Sequence, residues 1–359
     1  MRPDDAGLGA GICPHGTRRV GISTIAKIAG SAGGISDMFG IVNLKLRAIA
    51  EQQGGVFSYE EAVGCGYSLN QVRDRVRAGR WRRLCRGQYT AVRPDPDAPA
   101  WRQAVTDHRL AMRAAVRSLN SPVVLSHQSA VVAYELPTWG LDLSRVHVTR
   151  CDRASGRIIA NVVQHRAILP AGAIWHRDGL DLVAPARAIV EIACTAGFEA
   201  GLVVADAALR ERVVRKDVLE FAVCDAENWP GSPAAKQLLE FCDPRSGSVG
   251  ESRLRLLMER QGLPKPELQA PMLRGGEPFA FVDFFFGWPY NTVVEFDGLQ
   301  KYGGNTAQVV IQEKWREDAI RELGHQFVRV IWEDLAYPAR TAARLRAAFA
   351  RAAAARKAS

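Results

Sequence analysis

The chain has 359 residues, 47% hydrophobic and 24% charged, which is enough to build the cores of two or three domains and too apolar for a disordered chain. A formal net charge of +9 favours nucleic acid or another anionic surface as partner. No run of 18 apolar residues is present, so no membrane-spanning helix is expected. Residues 1–37 are rich in Gly, Ser and Ala without periodicity and read as a disordered extension, or as the product of a start assigned upstream of Met38. Arg18-Arg19 before a mildly apolar stretch is a weak twin-arginine export signature. Lys27 interrupts that stretch, and no A-x-A-like site follows it.

Residues 41–93 carry dense helix punctuation. Leu44 and Ile49 mark a helix ended by Gly54-Gly55. Ser58 and Glu61 form a capping box that opens a second helix. Gly64-Cys65-Gly66 makes a turn, and Ser68 with Gln71 opens a third helix. On it Leu69, Val72 and Val76 are expected to face inward, and Arg73, Asp74 and Arg77 outward. Gly79 stops this helix, and W-R-R-L-C-R-G-Q-Y-T-A-V reads as a hairpin with Gly87 at its turn. The order is that of a winged helix-turn-helix. Arg73, Arg75, Arg77, Arg80, Arg82, Arg83 and Arg86, set against the single acid Asp74, are the candidate DNA contacts.

A stiff linker, Pro-Asp-Pro-Asp-Ala-Pro at 94–99, precedes an α/β region at 100–235. Helices are expected at 100–118, from Ser126 to before Pro137, from Pro185 and over 200–209. Strands are expected at 123–125, 146–149 and 158–165. His108, His127, His147, His165 and His176 fall here, but their spacing fits no metal motif. They read as histidines satisfied by backbone or solvent. Ser126-His127 is set aside as a nucleophile and base, since no G-x-S-x-G elbow is present. Seven cysteines, an odd number with no C-x-x-C pair, read as reduced thiols of a cytoplasmic protein.

The motifs G-G-V-F-S, G-Y-S-L-N-Q-V-R and G-R-W-R-R-L-C-R-G-Q-Y make residues 41–93 resemble the winged helix of AbiEi-type antitoxins, the regulators of type IV toxin–antitoxin systems. L-S-H-Q-S-A, E-L-P-T-W-G, V-H-V-T-R and A-P-A-R-A-I-V-E-I-A resemble the domain that follows it in many actinobacterial members. The resemblance implies promoter binding or an interaction role, with a cognate toxin as possible partner, and no catalysis.

The last third holds three carboxylates within two apolar runs. Phe279–Phe286 reads as a strand with Asp283, and Thr292–Asp297 as a returning strand with Glu295 and Asp297 on one face. Glu251 heads the apolar stripe of a preceding helix, with Leu254 and Met258. A carboxylate costs several kcal/mol to bury unpaired, so a cluster of them points to a cation, and hard oxygen donors suit Mg2+ or Mn2+. A helix at about 308–323 is expected to bury Ile311, Trp315, Ala319 and Leu323 and to expose Lys314 and Arg316. A strand, H-Q-F-V-R-V-I-W, follows. A basic Ala/Arg-rich helix is expected over 338–359.

G-E-S-R-L-R-L-L, V-D-F, V-V-E-F-D-G, K-W-R-E-D-A-I-R-E-L-G and V-R-V-I-W-E-D-L make residues 248–335 resemble the very-short-patch-repair-like endonucleases of the PD-(D/E)XK superfamily. The resemblance implies metal binding at Asp283 and Glu295, with Glu251 and Asp297 assisting. Lys301 stands where many relatives have histidine, and either it or Lys314 would neutralise charge on the phosphate. The expected protein is an α/β multi-domain chain that binds DNA and hydrolyses its phosphodiester bonds with a divalent ion, in defence or repair. The alternative is a non-catalytic regulator or antitoxin-like protein with a degenerate nuclease fold.

Overall fold

The structure, a computed structural model, describes residues 43–119, 121–152, 156–170, 172–298 and 307–358, with backbone alone at 307–310 and 356–358. The segment 1–37 and Lys301 lie outside the described residues. Among the described residues no helix is long and apolar enough to cross a membrane, and Cys65, Cys85, Cys151, Cys194, Cys224 and Cys242 are free thiols. The chain divides into two compact units, Met1–Arg82 with Thr90–Arg93, and Arg83–Tyr89 with Pro94–Ser359.

Along residues 43–93, α1 (Leu44–Gln52), β1 (Val56–Ser58), α2 (Tyr59–Gly64) and α3 (Leu69–Arg77) lead into the hairpin β2 (Arg82–Cys85) and β3 (Gln88–Thr90), with sheet order β1-β3-β2. Both capping boxes form: Ser58 and Glu61 bond reciprocally, as do Ser68 and Gln71. Gly87 takes φ +73, the left-handed conformation that the hairpin turn needs. Strand β1 is too short for its alternation to register in the sequence, and all three of its residues are buried. Trp81 is the centre of this core, edge-on to Phe57 at 4.8 Å and to Tyr67 at 5.0 Å. Leu69 is 44% exposed, so Val72 anchors α3 and Leu69 does not.

The second unit begins with α4 (Ala100–Ser118), β4 (Val123–Leu125), α5 (His127–Ala133), β5 (Val146–Arg150), β6 (Arg157–Ile159), β7 (Val162–Arg166), β8 (Ile174–Arg177) and β9 (Leu180–Val183). The six strands make one sheet, order β6-β7-β5-β4-β9-β8. The expected strand at 158–165 is instead the hairpin β6–β7, bent where Ala160 takes φ +51. The hairpin β8–β9 turns at Asp178-Gly179, both with positive φ, as the D-G dipeptide favours. Helices α6 (Pro185–Thr195), α7 (Phe198–Arg210), α8 (Lys216–Asp225) and α9 (Ser232–Phe241) cover a core that includes Leu125, Val148, Leu182, Ile189, Leu202 and Leu238. Helix α9 runs through residue 235, where the sequence suggested a domain end.

The chain continues through α10 (Val249–Arg260), β10 (Glu267–Arg274), β11 (Glu277–Phe286), β12 (Thr292–Asp297), α11 (Ala307–Glu322), β13 (Gln326–Ile331) and α12 (Pro338–Ala358). Sheet order is β10-β11-β12-β13, with an antiparallel meander of three strands and then β12 parallel to β13 across α11. The sequence reading missed β10 because Pro271 interrupts it. The strand lies at the sheet edge, where proline is tolerated. One apolar cluster joins Leu254 and Met258 of α10, Phe284, Val294 and Val330 of the sheet, and Leu345 and Phe349 of α12. The C-terminal helix therefore packs as part of the fold. A second cluster joins Val282, Val293 and Phe327 to Ile320 of α11.

Helix α11 departs from its expected face: Ile311 and Trp315 are 45% and 68% exposed, while Ile320 is buried. The turn before Ile320 carries Arg316 and Glu317, which bond to Glu295 and Arg329 of the sheet. A polar inner stripe of this kind is invisible to apolar periodicity. The C-terminal α/β part is tied to the preceding α/β part within one unit. Asp206 of α7 is fully buried and accepts from Arg255 and Ser252 of α10, both at 2.7 Å.

Candidate functional site

Strand register builds the carboxylate site. Leu268 pairs with Phe284 and Ala270 with Val282, which sets Gln269 opposite Asp283. The β11–β12 pairing ends at Phe284 with Val294, and just beyond it Asp283 Oδ2 accepts from the Phe296 N–H of β12, which brings Asp283 close to Glu295. Gln269, Asp283 and Glu295 therefore form a row across three strands. Glu251 reaches the row from the first turn of α10, where Ser248 caps the helix by accepting from the Glu251 N–H at 3.1 Å. Gly250 permits that approach, because a Cβ there would stand 1.9 Å from the Phe296 ring.

Gln269 connects the acids. Its Nε2 donates to Glu251 Oε2 at 3.2 Å and to Asp283 Oδ1 at 3.4 Å. Its backbone sits at φ +49, an uncommon conformation for a residue with a side chain. Asp283 Oδ2 accepts from the Phe296 N–H at 2.9 Å, and Glu251 Oε2 accepts from the Gly247 N–H at 2.7 Å. Burial, and then repulsion from Asp283, hold the Glu251 carboxyl above the usual range. Glu295 is raised as well, chiefly by burial, with Arg316 opposing and Asp283 adding to the rise. Arg316 grips Glu295 through both oxygens, each at 2.8 Å.

Of the residues expected from the sequence, Glu251, Asp283 and Glu295 come together. Asp297 lies beside Arg329 at 3.7 Å, and Lys314 is exposed on α11. Among the described residues, the group of three side chains that offers ligand atoms within 4.8 Å of one another is His127, His147 and His165, not the acids. Gln269 and Arg316 escaped the sequence reading as site residues. An amide or arginine has no spacing signature, and both join the site through register and crossover packing.

In the first unit Arg73, Arg77 and Arg80 are exposed and extend the positive surface of α3. On the hairpin Arg83 and Arg86 are exposed and Arg82 is half-buried. Arg75 is not a free contact residue. Its guanidinium lies 4.8 Å from the Tyr67 ring and 5.5 Å from that of Trp81, so it seals the aromatic core.

Residues 45–92 match the family model described as "Transcriptional regulator, AbiEi antitoxin". Two uncharacterized proteins of Mycobacterium tuberculosis, MT2308 of strain CDC 1551 and Rv2248 of strain H37Rv, are each 34% identical over 164 residues. That span is 45% of this chain and 59% of each relative, so the chain covers less than two thirds of their length. The family match and the helix, strand and hairpin order agree: residues 45–92 carry a transcriptional-regulator domain of AbiEi-antitoxin type, with the DNA-binding role that this family suggests.

Proposed function

We propose that the protein docks on duplex DNA through its winged helix and hydrolyses a phosphodiester bond at the Glu251–Asp283–Glu295 site. The observation that carries this reading is the row of Gln269, Asp283 and Glu295 across three strands, capped by a buried Glu251. The αβββαβ plan around it, with β12 and β13 parallel, is the core plan of the PD-(D/E)XK nucleases that the sequence motifs resemble.

The donor chemistry fits Mg2+ or Mn2+: three hard carboxylates, two of them raised chiefly by burial and further by repulsion from Asp283, would be relieved by a divalent cation. Asp283 and Glu295 would hold it, and when bound it would supply an activated water and neutralise charge on the phosphate. Glu251 orients the site through Gln269. Arg316 is placed to move from Glu295 to a substrate phosphate, an exchange between two bidentate acceptors. Asp297, held by Arg329, supports the strand end and leaves the ion to the other two.

Purified protein incubated with supercoiled plasmid in Mg2+, Mn2+ or EDTA, beside Asp283→Ala, tests the proposal. Metal-dependent nicking that the variant loses is the expected result. DNA that is shifted but intact in every condition, for both proteins, would sink it. That outcome would leave the second reading, a non-catalytic DNA-binding regulator or antitoxin-like protein, for which a cognate toxin is the proposed partner. The family match at 45–92 and the closed Arg316–Glu295 pair favour this second reading.

A further inference from the structure

The α/β part of the second unit holds a second site, unrelated to the carboxylates. His127 opens α5 directly after β4, while His147 and His165 stand on the neighbouring parallel strands β5 and β7. Each offers a ring nitrogen, and the three nitrogens lie within 4.8 Å of one another. His147 Nδ1 faces His165 Nε2 at 2.9 Å, and the His127 ring stacks on that of His165 with centroids 3.8 Å apart. His108 and His176 behave as the sequence suggested: His108 bonds to the Leu143 carbonyl and the Ser129 hydroxyl, and His176 pairs with Asp181 near the surface. Of the other three, His147 and His165 bond to each other, while His127 bonds to Ser126 and Glu191 and stacks on His165, so they are satisfied by side chains and by each other and not by backbone or solvent alone.

We propose that His127, His147 and His165 form a Zn2+ site with one open coordination position. Imidazole donors suit Zn2+ and its late first-row neighbours, whereas Mg2+ and Mn2+ prefer the oxygen donors of the other site. The outer shell is already in place. Glu191 is almost fully buried and is held by the His127 N–H at 2.9 Å and by Arg187 Nε at 2.9 Å. The same carboxylate stands 3.3 Å from His127 Nδ1, and Ser126 Oγ stands 3.1 Å from it, which leaves Nε2 for the ion. This is the carboxylate–histidine–metal relay that fixes ring orientation in zinc proteins. Gln128 Nε2 lies 2.7 Å from His147 Nε2. The same Gln128 Nε2 donates to the Asp142 carbonyl at 3.1 Å, so with the metal on Nδ1 the His147 Nε2–H requires the Gln128 side chain to give up that bond and turn its oxygen inward. With Zn–N near 2.0–2.1 Å, tetrahedral ligands stand about 3.3 Å apart, so rotation of the His127 and His165 rings out of their stack completes the set. The ion would clip α5 to β5 and β7.

Tag-free full-length protein, stripped with EDTA and dialysed, is titrated with Zn2+ by calorimetry and with Co2+ by visible absorption. The expected result is one saturable Zn2+ per chain and the intense bands of four-coordinate Co2+. Asp283→Ala/Glu295→Gln should keep both signals, because the carboxylate site is separate. His147→Gln and His165→Asn should each weaken Zn2+ binding by roughly 100-fold or more, and Glu191→Gln by about 10–100-fold with stoichiometry unchanged. Three results would each overturn the proposal: wild-type protein without saturable binding, a six-coordinate Co2+ spectrum, or loss of the signals in the carboxylate variant. The wild-type titration decides even if a histidine variant fails to fold.

Discussion

Gly250→Ala tests how the fold places Glu251. A Cβ at this position would meet Phe296 ring atoms at 1.9, 2.3 and 2.4 Å, while ordinary contact begins near 3.4 Å. The first turn of α10 must therefore retreat by about 1.5 Å, or the ring must move, since repulsion rises steeply inside contact. Phe296 is 7% exposed and edge-on to Trp332, so it has little room to yield. Overpacking of this kind costs about 1–3 kcal/mol, offset by up to about 1 kcal/mol from the better helix propensity of alanine. A net loss of about 1–2 kcal/mol is expected in urea unfolding of the second unit. The retreat also carries Glu251 away from Gln269, already 3.2 Å distant. A displacement near 1 Å costs about 100-fold in turnover, so plasmid nicking should fall by that order while gel-shift affinity stays unchanged. Phe296→Leu frees the space. A double-mutant cycle should therefore show coupling of about 1 kcal/mol or more, with Gly250→Ala tolerated better when combined with Phe296→Leu than alone. A stabilising Gly250→Ala, or strict additivity of the two changes, would refute the packing argument.

Replacing Arg73, Arg77 and Arg80 together by Ala should weaken DNA binding and flatten its salt dependence by about 2–3 in slope, roughly 0.9 per lost phosphate contact. An unchanged slope would remove α3 from the interface. Arg75→Ala should instead lower the melting temperature, and Trp81→Ala should cost about 3–5 kcal/mol and unfold the first unit, as read by amide hydrogen exchange. Glu251→Gln should raise stability at pH 7 and have no effect below about pH 4. A carboxyl raised above the unfolded value of 4.5 penalises the folded state once it ionises, so the penalty grows as pH rises through the folded pKa and is absent when both states are protonated. Thermal melts across about pH 4–8 check the sign. Asp206→Ala should cost about 3–5 kcal/mol, because it strands the buried Arg255. A loss below about 1 kcal/mol by chemical denaturation would contradict the proposed tie between α7 and α10.

Much of the architecture was legible in short-range chemistry. The caps at Ser58 and Ser68, the proline that opens α6 and the turn at Gly87 each rest on contacts within a few residues, so a linear reading finds them. Strand parity likewise places Glu295 and Asp297 on one face, and helix spacing places Glu251 with Leu254 and Met258. Where an element breaks its own pattern, the reading failed: Pro271 hid β10, and the inward Arg316 and Glu317 rotated α11 away from its apolar stripe.

The sequence by itself determined the winged-helix order, the arginine-rich surface and the identity of three acids, because caps, turns and alternation act locally. Tertiary structure alone decided which side chains meet. Cross-strand register added Gln269 to the acids, the crossover helix brought Arg316 onto Glu295, and packing turned Arg75 inward and Asp297 toward Arg329. The three histidines show the same division. Nothing in their spacing joins them, since they come from a helix start and two strands that meet only once the six-stranded sheet has assembled.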